Sequence, residues 1–95
     1  MNPLEAIAQL PWRTEFPVEL CTEERDGTRR GPRWLLCAVQ CMREPWYVST
    51  TVLYPVILAD GSYAWEDGVG DHLVFHKGYA DDHEVHYVVA WTEVP

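Results

Sequence analysis

Three histidines, His72, His76 and His86, fall within one stretch of alternating apolar and polar residues, Asp71 to Val94. Leu73 and Phe75 share one parity there, as do Val85, Tyr87, Val89 and Trp91. Successive strand side chains point to opposite faces, so these six predict one buried face and place the histidines on the other. If the stretch turns as a hairpin around Gly78 to Asp82, one register sets His76 opposite His86. Directly opposed Cβ atoms lie about 4.5–5.5 Å apart, close enough for two imidazoles to share a zinc ion. Glu84 or Asp82 would then add an oxygen ligand and leave a coordination position open. His72 is four strand residues from His76, roughly 13 Å, and falls outside such a site. The plainer reading is a solvated sheet face that tolerates histidine. A third is a pH-sensitive cluster among carboxylates.

Other reactive side chains form weaker patterns. Cys21, Cys37 and Cys41 are an odd number, unlike a secreted disulfide framework, and read as buried thiols of a reducing compartment. A second closely spaced cysteine pair, which a structural zinc site would need, is missing. Arg29 and Arg30 sit in a glycine-containing loop and could fork onto a phosphate. No glycine-rich cradle accompanies them, and Lys77 is the sole lysine. The paired carboxylates Glu66-Asp67 and Asp81-Asp82 lie in polar loops, too solvated to hold a raised pKa for acid catalysis. Neither an H-E-x-x-H nor a G-x-S-x-G motif occurs. The sequence therefore speaks more for a non-enzyme than for an enzyme.

Charge narrows the partners. The net charge is −8 over 95 residues. Residues 1–45 hold six basic and seven acidic side chains, net −1, and residues 46–95 hold one basic and eight acidic, net −7. This balance opposes direct binding to a nucleic-acid backbone and suits docking onto a basic protein surface. It also keeps a small domain soluble whatever its function. Glu66, Asp67, Asp71, Asp81, Asp82 and Glu84 are the candidate partner-binding residues. No apolar run approaches the roughly 20 residues that span a bilayer, and the first residues lack a basic leader. A soluble, cytoplasmic protein of one domain, 1–95, is expected.

Positioning these groups falls to short elements. Asn2, Pro3 and Glu5 carry the signals of a helix start, Leu4, Ile7 and Ala8 give it an apolar stripe, and Pro11 stops it. Phe16 to Thr22 reads as a weak strand and Glu23 to Gly31 as a polar loop. The segment Trp34 to Cys41 is ambiguous between helix and buried strand, and its charges oppose a helix dipole, which favours the strand. Trp46 to Tyr54 is rich in β-branched and aromatic residues, and Pro55 suits an edge or a bulge. Asp60-Gly61, between Val56–Ala59 and Ser62–Trp65, predicts a hairpin with a two-residue type I′ turn. The fold class expected is α+β: mainly an antiparallel sheet, a meander of hairpins, with one short N-terminal helix.

The ending Val88-Val89-Ala90-Trp91-Thr92-Glu93-Val94-Pro95 resembles that of a family of short uncharacterised phage and prophage proteins, which close on a valine–tryptophan–proline pattern. Trp12, the run Leu35 to Val39 and Trp65 stand where that family carries an early tryptophan, a Leu/Val-rich strand and central aromatic strands. The resemblance implies a mobile-element origin and carries over no functional residue. Together these readings predict a non-enzymatic, small acidic binding protein. One version is a phage-encoded inhibitor, anti-CRISPR-like, that occupies the basic surface of a host defence or nucleic-acid-binding protein. The alternative is a metal-binding protein, or a small metal-dependent enzyme, built on His76, His86 and Glu84.

Overall fold

Alternation in the central segment decides the architecture. Leu35, Cys37, Val39 and Cys41 are buried, while Leu36, Ala38 and Gln40 are half-exposed. A strict period of two makes this a strand and excludes a helix. The computed structural model describes residues 3–43, 47–68, 72–79 and 86–94. In it a helix α1 (Pro3–Ala8) and a 3-10 turn (Val18–Leu20) precede seven strands: β1 (Glu23–Arg25), β2 (Thr28–Arg30), β3 (Leu35–Cys41), β4 (Val48–Ile57), β5 (Tyr63–Glu66), β6 (Leu73–His76) and β7 (His86–Glu93).

Five of these strands close on themselves. β3 pairs with β4 and β7, β4 with β5, β5 with β6, and β6 with β7. Closure leaves the ring without a free edge, and the β1–β2 hairpin is appended to it through β4. The expected α+β class is thereby overturned: the described residues are nearly all-β, built on a closed five-strand barrel. α1 has six residues, too few to form a packed layer of its own. It ends where the Trp12 indole N–H donates to the Ile7 carbonyl at 2.8 Å, satisfying one of the last helical acceptors.

β4 is long because it serves three neighbours. Its first half pairs with β3 from Val48 to Leu53, and its second half pairs with β5 and β2. The change comes at Pro55, which is fully buried. Proline offers no N–H, and here its carbonyl accepts from the Gly31 N–H at 2.9 Å. Gly31 is required at this crossing: a Cβ built there would lie 2.6 Å from Pro55 Cγ.

Several expected elements are corrected. Phe16 to Thr22 is not a strand, because short turn bonds from Val18 N–H to Phe16 and from Leu20 N–H to Pro17 curl it. Glu23 to Gly31 is not a loop but the β1–β2 hairpin, with Arg25 opposite Thr28 across Asp26-Gly27. Both turn residues have positive φ, 52° and 81°, as a type I′ turn requires. The hairpin at Asp60-Gly61 exists, but its turn is longer. Gly61 N–H bonds to Leu58 O and Leu58 N–H to Ser62 O, with positive φ at Gly61 and not at Asp60. That is a three-residue loop with a glycine bulge.

The predicted C-terminal hairpin changes most. β6 and β7 pair in parallel, with Phe75 opposite Tyr87 and His76 opposite Val88. Leu73 is 40% exposed and His76 only 4%, so the buried parity of β6 is the reverse of the one expected. In β7 the residue opposite Ala38 is Ala90 and the one opposite Val39 is Val88, so Val89 is an extra residue. This bulge shifts the inward parity from Trp91 to Val88. The core comprises Trp65, Trp91, Leu35, Val88 and Cys37 with Phe16 from the N-terminal segment.

Candidate functional site

Residues 12–16 lie across the barrel as a strap. Arg13 exchanges two backbone bonds of 2.8 Å with Trp91, and its guanidinium sits 5.3 Å from the Trp91 ring centroid. The Trp91 indole N–H donates to the Glu15 carbonyl. Phe16 stacks on Tyr63 at 4.4 Å and meets Trp65 and His76 edge-on.

His76 is the polar centre of this packing. The Trp65 indole N–H donates to His76 Nδ1 at 3.1 Å. Nε2 stands 2.9 Å from the Thr14 carbonyl, which can only accept. These two partners fix one neutral tautomer, protonated on Nε2. Burial pushes its pKa below the ordinary value of 6.5, and the Thr14 carbonyl pulls weakly the other way. Both ring nitrogens are thus engaged, and a metal ion would have to displace one partner.

The proposed metal set therefore does not assemble around His76. It faces inward opposite Val88, whereas His86 is exposed and opposite Cys41. Glu84 and Asp82, the candidate oxygen ligands, lie outside the described residues. His72 is exposed just before β6. Among the described residues no three His, Cys, Asp or Glu side chains converge as metal ligands.

The thiols are packed as well. All three cysteines are free and buried. Burial pushes the Cys21 thiol up to about 11, with Arg29 opposing and Glu19 adding to the shift, and raises Cys37 further. Neither is a thiolate near neutral pH, so neither is poised as a nucleophile. The Arg29 guanidinium is spent on the Cys21 carbonyl at 3.1 Å, and Arg30 is spent on Glu66.

That last pair opens a second region. Of the predicted partner-binding carboxylates, Glu66 ends β5 in an ion pair with Arg30 and its side chain is 13% exposed, so its charge is largely satisfied within the fold. Asp67 follows it in a half-buried loop. Asp71, Asp81, Asp82 and Glu84 lie outside the described residues. Beside the Arg30–Glu66 pair is a groove of about 210 Å³, to which Glu23, Pro32, Tyr54 and Gly68 also contribute. Trp34 meets Tyr54 edge to face, ring centroids 5.6 Å apart, and remains 49% exposed. Glu23 forms no ion pair with a described residue.

Sequence reasoning did not single out Trp34 or Tyr54. A signal was present: if Leu35, Cys37 and Val39 face inward, Trp34 must face out. A large outward-facing aromatic immediately before a strand is a candidate contact residue. No helix among the described residues is long and apolar enough to cross a membrane. The chain matches no family model, no curated protein and no solved structure, so these two regions stand on their own geometry.

Proposed function

We propose that this protein is a small non-enzymatic binding domain that docks onto the basic surface of a protein partner. The observation that carries this reading is the outer surface. Trp34, Tyr47, Tyr79 and Met42 are each 43–49% exposed on a chain of net charge −8. Exposed aromatic and methionine side chains supply contact energy, and an acidic field steers a basic partner toward them. These side chains flank the strands: Trp34 and Met42 bracket β3, Tyr47 precedes β4 and Tyr79 follows β6. The closed barrel supports the reading by anchoring the segments that carry them. The inward histidine and thiols support it too, since they are committed to packing rather than chemistry.

The narrower version is a phage-encoded inhibitor of a host defence protein. Its carboxylates would stand where nucleic-acid phosphates otherwise bind. Charge and the resemblance of the last eight residues motivate that version.

The test is capture from bacterial lysate on immobilised protein, read by mass spectrometry at low and moderate salt. A stoichiometric partner whose retention falls with salt is expected. Reversal of four carboxylates (Asp67→Lys, Asp71→Lys, Asp81→Lys, Asp82→Lys) should abolish its binding. Unchanged affinity after that reversal would sink the electrostatic reading.

A further inference from the structure

The geometry points to a two-part groove at Gly31-Pro32 that takes an extended segment of the partner, with an arginine or lysine on one side and an aliphatic side chain on the other. This rests on the reading of the protein as a binder of basic partners, and it names where and by what chemistry it binds.

The cationic half is the groove beside Trp34 and Tyr54. Gly68 sits tightly against both rings: a Cβ there would fall 3.0 Å from Tyr54 Cε2 and 3.6 Å from Trp34 Nε1. The aromatic corner is therefore backed by main chain, with the indole half open to solvent. Three charged side chains line this groove. Arg30 pairs with Glu66 and lies opposite Glu23 across the β1–β2 ladder, so the groove carries one net negative charge, with Glu23 outside the ion pair. An indole and a phenol ring beside this carboxylate form a site for a cation, and a guanidinium can stack on a ring while it faces the carboxylate.

The apolar half lies on the other flank of the same ridge. Gly31 and Pro32 line both cavities. The second has a volume of about 120 Å³; Leu20, Leu35 and Pro55 form its apolar wall, and Glu19, Thr22 and Arg33 also line it. An apolar protein cavity of about 150 Å³ accepts a benzene molecule. This one is of a size for a single branched aliphatic side chain. The ridge between the halves is stiff. Gly31 is buried and bonded to the Pro55 carbonyl at 2.9 Å, and both prolines have fixed φ. A rigid ridge with one cationic and one apolar subsite selects a segment carrying both residue types as near neighbours.

The probes are acetyl-Leu-(Gly)n-Arg-amide peptides with zero to two glycines, each beside its citrulline counterpart, a neutral isostere of arginine. Binding is followed by NMR at the Trp34 indole N–H and the Gly31 and Gly68 amides of the ¹⁵N-labelled full chain. We expect saturable shifts centred on these groups for at least one arginine peptide, and weaker ones for citrulline. Trp34→Ala should weaken arginine-peptide binding about fivefold, read at Gly31 and Gly68. Glu23→Gln, a surface change that leaves packing intact, should weaken it about twofold and reduce its salt dependence.

Equal shifts with citrulline, no shifts at 10 mM peptide, or shifts centred on other surfaces would each overturn the groove. The parent reading fails separately. If the captured partner is lost on fourfold charge reversal but retained in full by Trp34→Ala, the groove is wrong and the acidic docking stands. If the partner is indifferent to the reversal, the parent reading falls whatever the peptides do.

Discussion

Two regions of this barrel are built from the same ingredients and end with opposite properties. At one, Trp65 and Phe16 pack against His76, and Trp91 backs Trp65. At the other, Trp34 and Tyr54 stand beside Arg30, Glu66 and Glu23. The first is closed by the strap of residues 12–16, and both nitrogens of its histidine are engaged by neighbours. At the second no segment of the described residues crosses the groove, one indole is half exposed, and Glu23 forms no ion pair with a described residue. Aromatic rings near a charged group do not by themselves make a site. What separates the two is whether the fold has already supplied a partner to each polar atom. A side chain satisfied within the chain holds structure, and one left half-satisfied is available to a ligand.

The largest test of this contrast is His76→Phe. The substitution keeps a flat ring but leaves the buried Trp65 indole N–H without a partner and the part-buried Thr14 carbonyl without its donor. An unsatisfied buried polar group costs about 1–3 kcal/mol, so a loss of roughly 2–5 kcal/mol is expected in urea unfolding, with the midpoint falling and the slope unchanged. A loss below about 1 kcal/mol would mean that the strap is not held by His76. Gly31→Ala tests the other region in the same way. Its Cβ meets the Pro55 ring at 2.6 Å, and neither ring nor backbone can turn aside. Overpacking of this kind costs about 1–3 kcal/mol. Retention of full stability would show that the ridge yields, and the two-part groove would lose its rigid divider.

The contrast was partly visible in the residues. β3 was only half legible: Leu36 and Ala38 are apolar as well, so the charges against a helix dipole favoured the strand, and the alternation appears in the burial of Leu35, Cys37, Val39 and Cys41. The Asp-Gly dipeptide was legible as a turn signal, yet it works differently at Asp26-Gly27 and at Asp60-Gly61. Asp26-Gly27 adopts the two-residue form although its flanks are charged, since β1 and β2 are appended to the barrel and need no apolar face. Asp60-Gly61, with apolar flanks, takes the longer loop, where the Asp60 carboxylate accepts from the Ser62 N–H at 2.9 Å. Local turn chemistry permits both, and the register of the flanking strands chooses.

The C-terminal segment misled for two physical reasons. Histidine is read as an outward residue because burying it unpaired is costly, but Thr14 is 62 positions away, and no local pattern announces that it will pay this cost. The bulge at Val89 then inverts parity in mid-strand, so Trp91 and Val88 share a face although their numbers differ by an odd step. At the N-terminus a helix forms only over Pro3–Ala8, and its expected cap Asn2 lies outside the described residues. The candidate groove was the least legible feature. It joins residues from β1, β2, β4 and β5 with Trp34, and the long-range pairing of β2 with β4 brings them together.

The acid response sharpens the comparison at the closed region. Burial lowers the pKa of His76 in the folded protein below its ordinary 6.5, so the unfolded chain binds the proton more readily. Stability from this residue is therefore complete above about pH 6.5 and is lost as pH falls below it toward the folded value. Protonation also turns Nδ1 from acceptor to donor, facing the Trp65 indole N–H. Trp65→Phe removes that opposed donor. It should bring the His76 pKa back toward its ordinary value and flatten the dependence of stability on pH between 5 and 7, at some cost in overall stability. Histidine ring resonances followed by NMR titration read the pKa directly. An unaltered titration in Trp65→Phe would show that the indole does not set the tautomer.

The smallest expected effect is the most diagnostic. Trp34→Ala removes a ring as large as Trp65 from a position that is half exposed rather than fully buried. Its edge-to-face contact with Tyr54 is worth about 0.5–1.5 kcal/mol, and little cavity is left because solvent already reaches the site. A stability loss below about 1.5 kcal/mol is expected, against roughly 3–5 kcal/mol for an aromatic-to-alanine change in a core. Chemical denaturation of Trp34→Ala and Trp65→Ala side by side gives the comparison, with Tyr54→Phe as a control that keeps the ring pair. A Trp34→Ala protein as unstable as Trp65→Ala would make the indole a structural wedge holding Tyr54 and Gly68. The open region would then be a second closed one. A Trp34→Ala protein that folds normally would leave the indole with no large structural duty, as an aromatic side chain held ready for a partner should be.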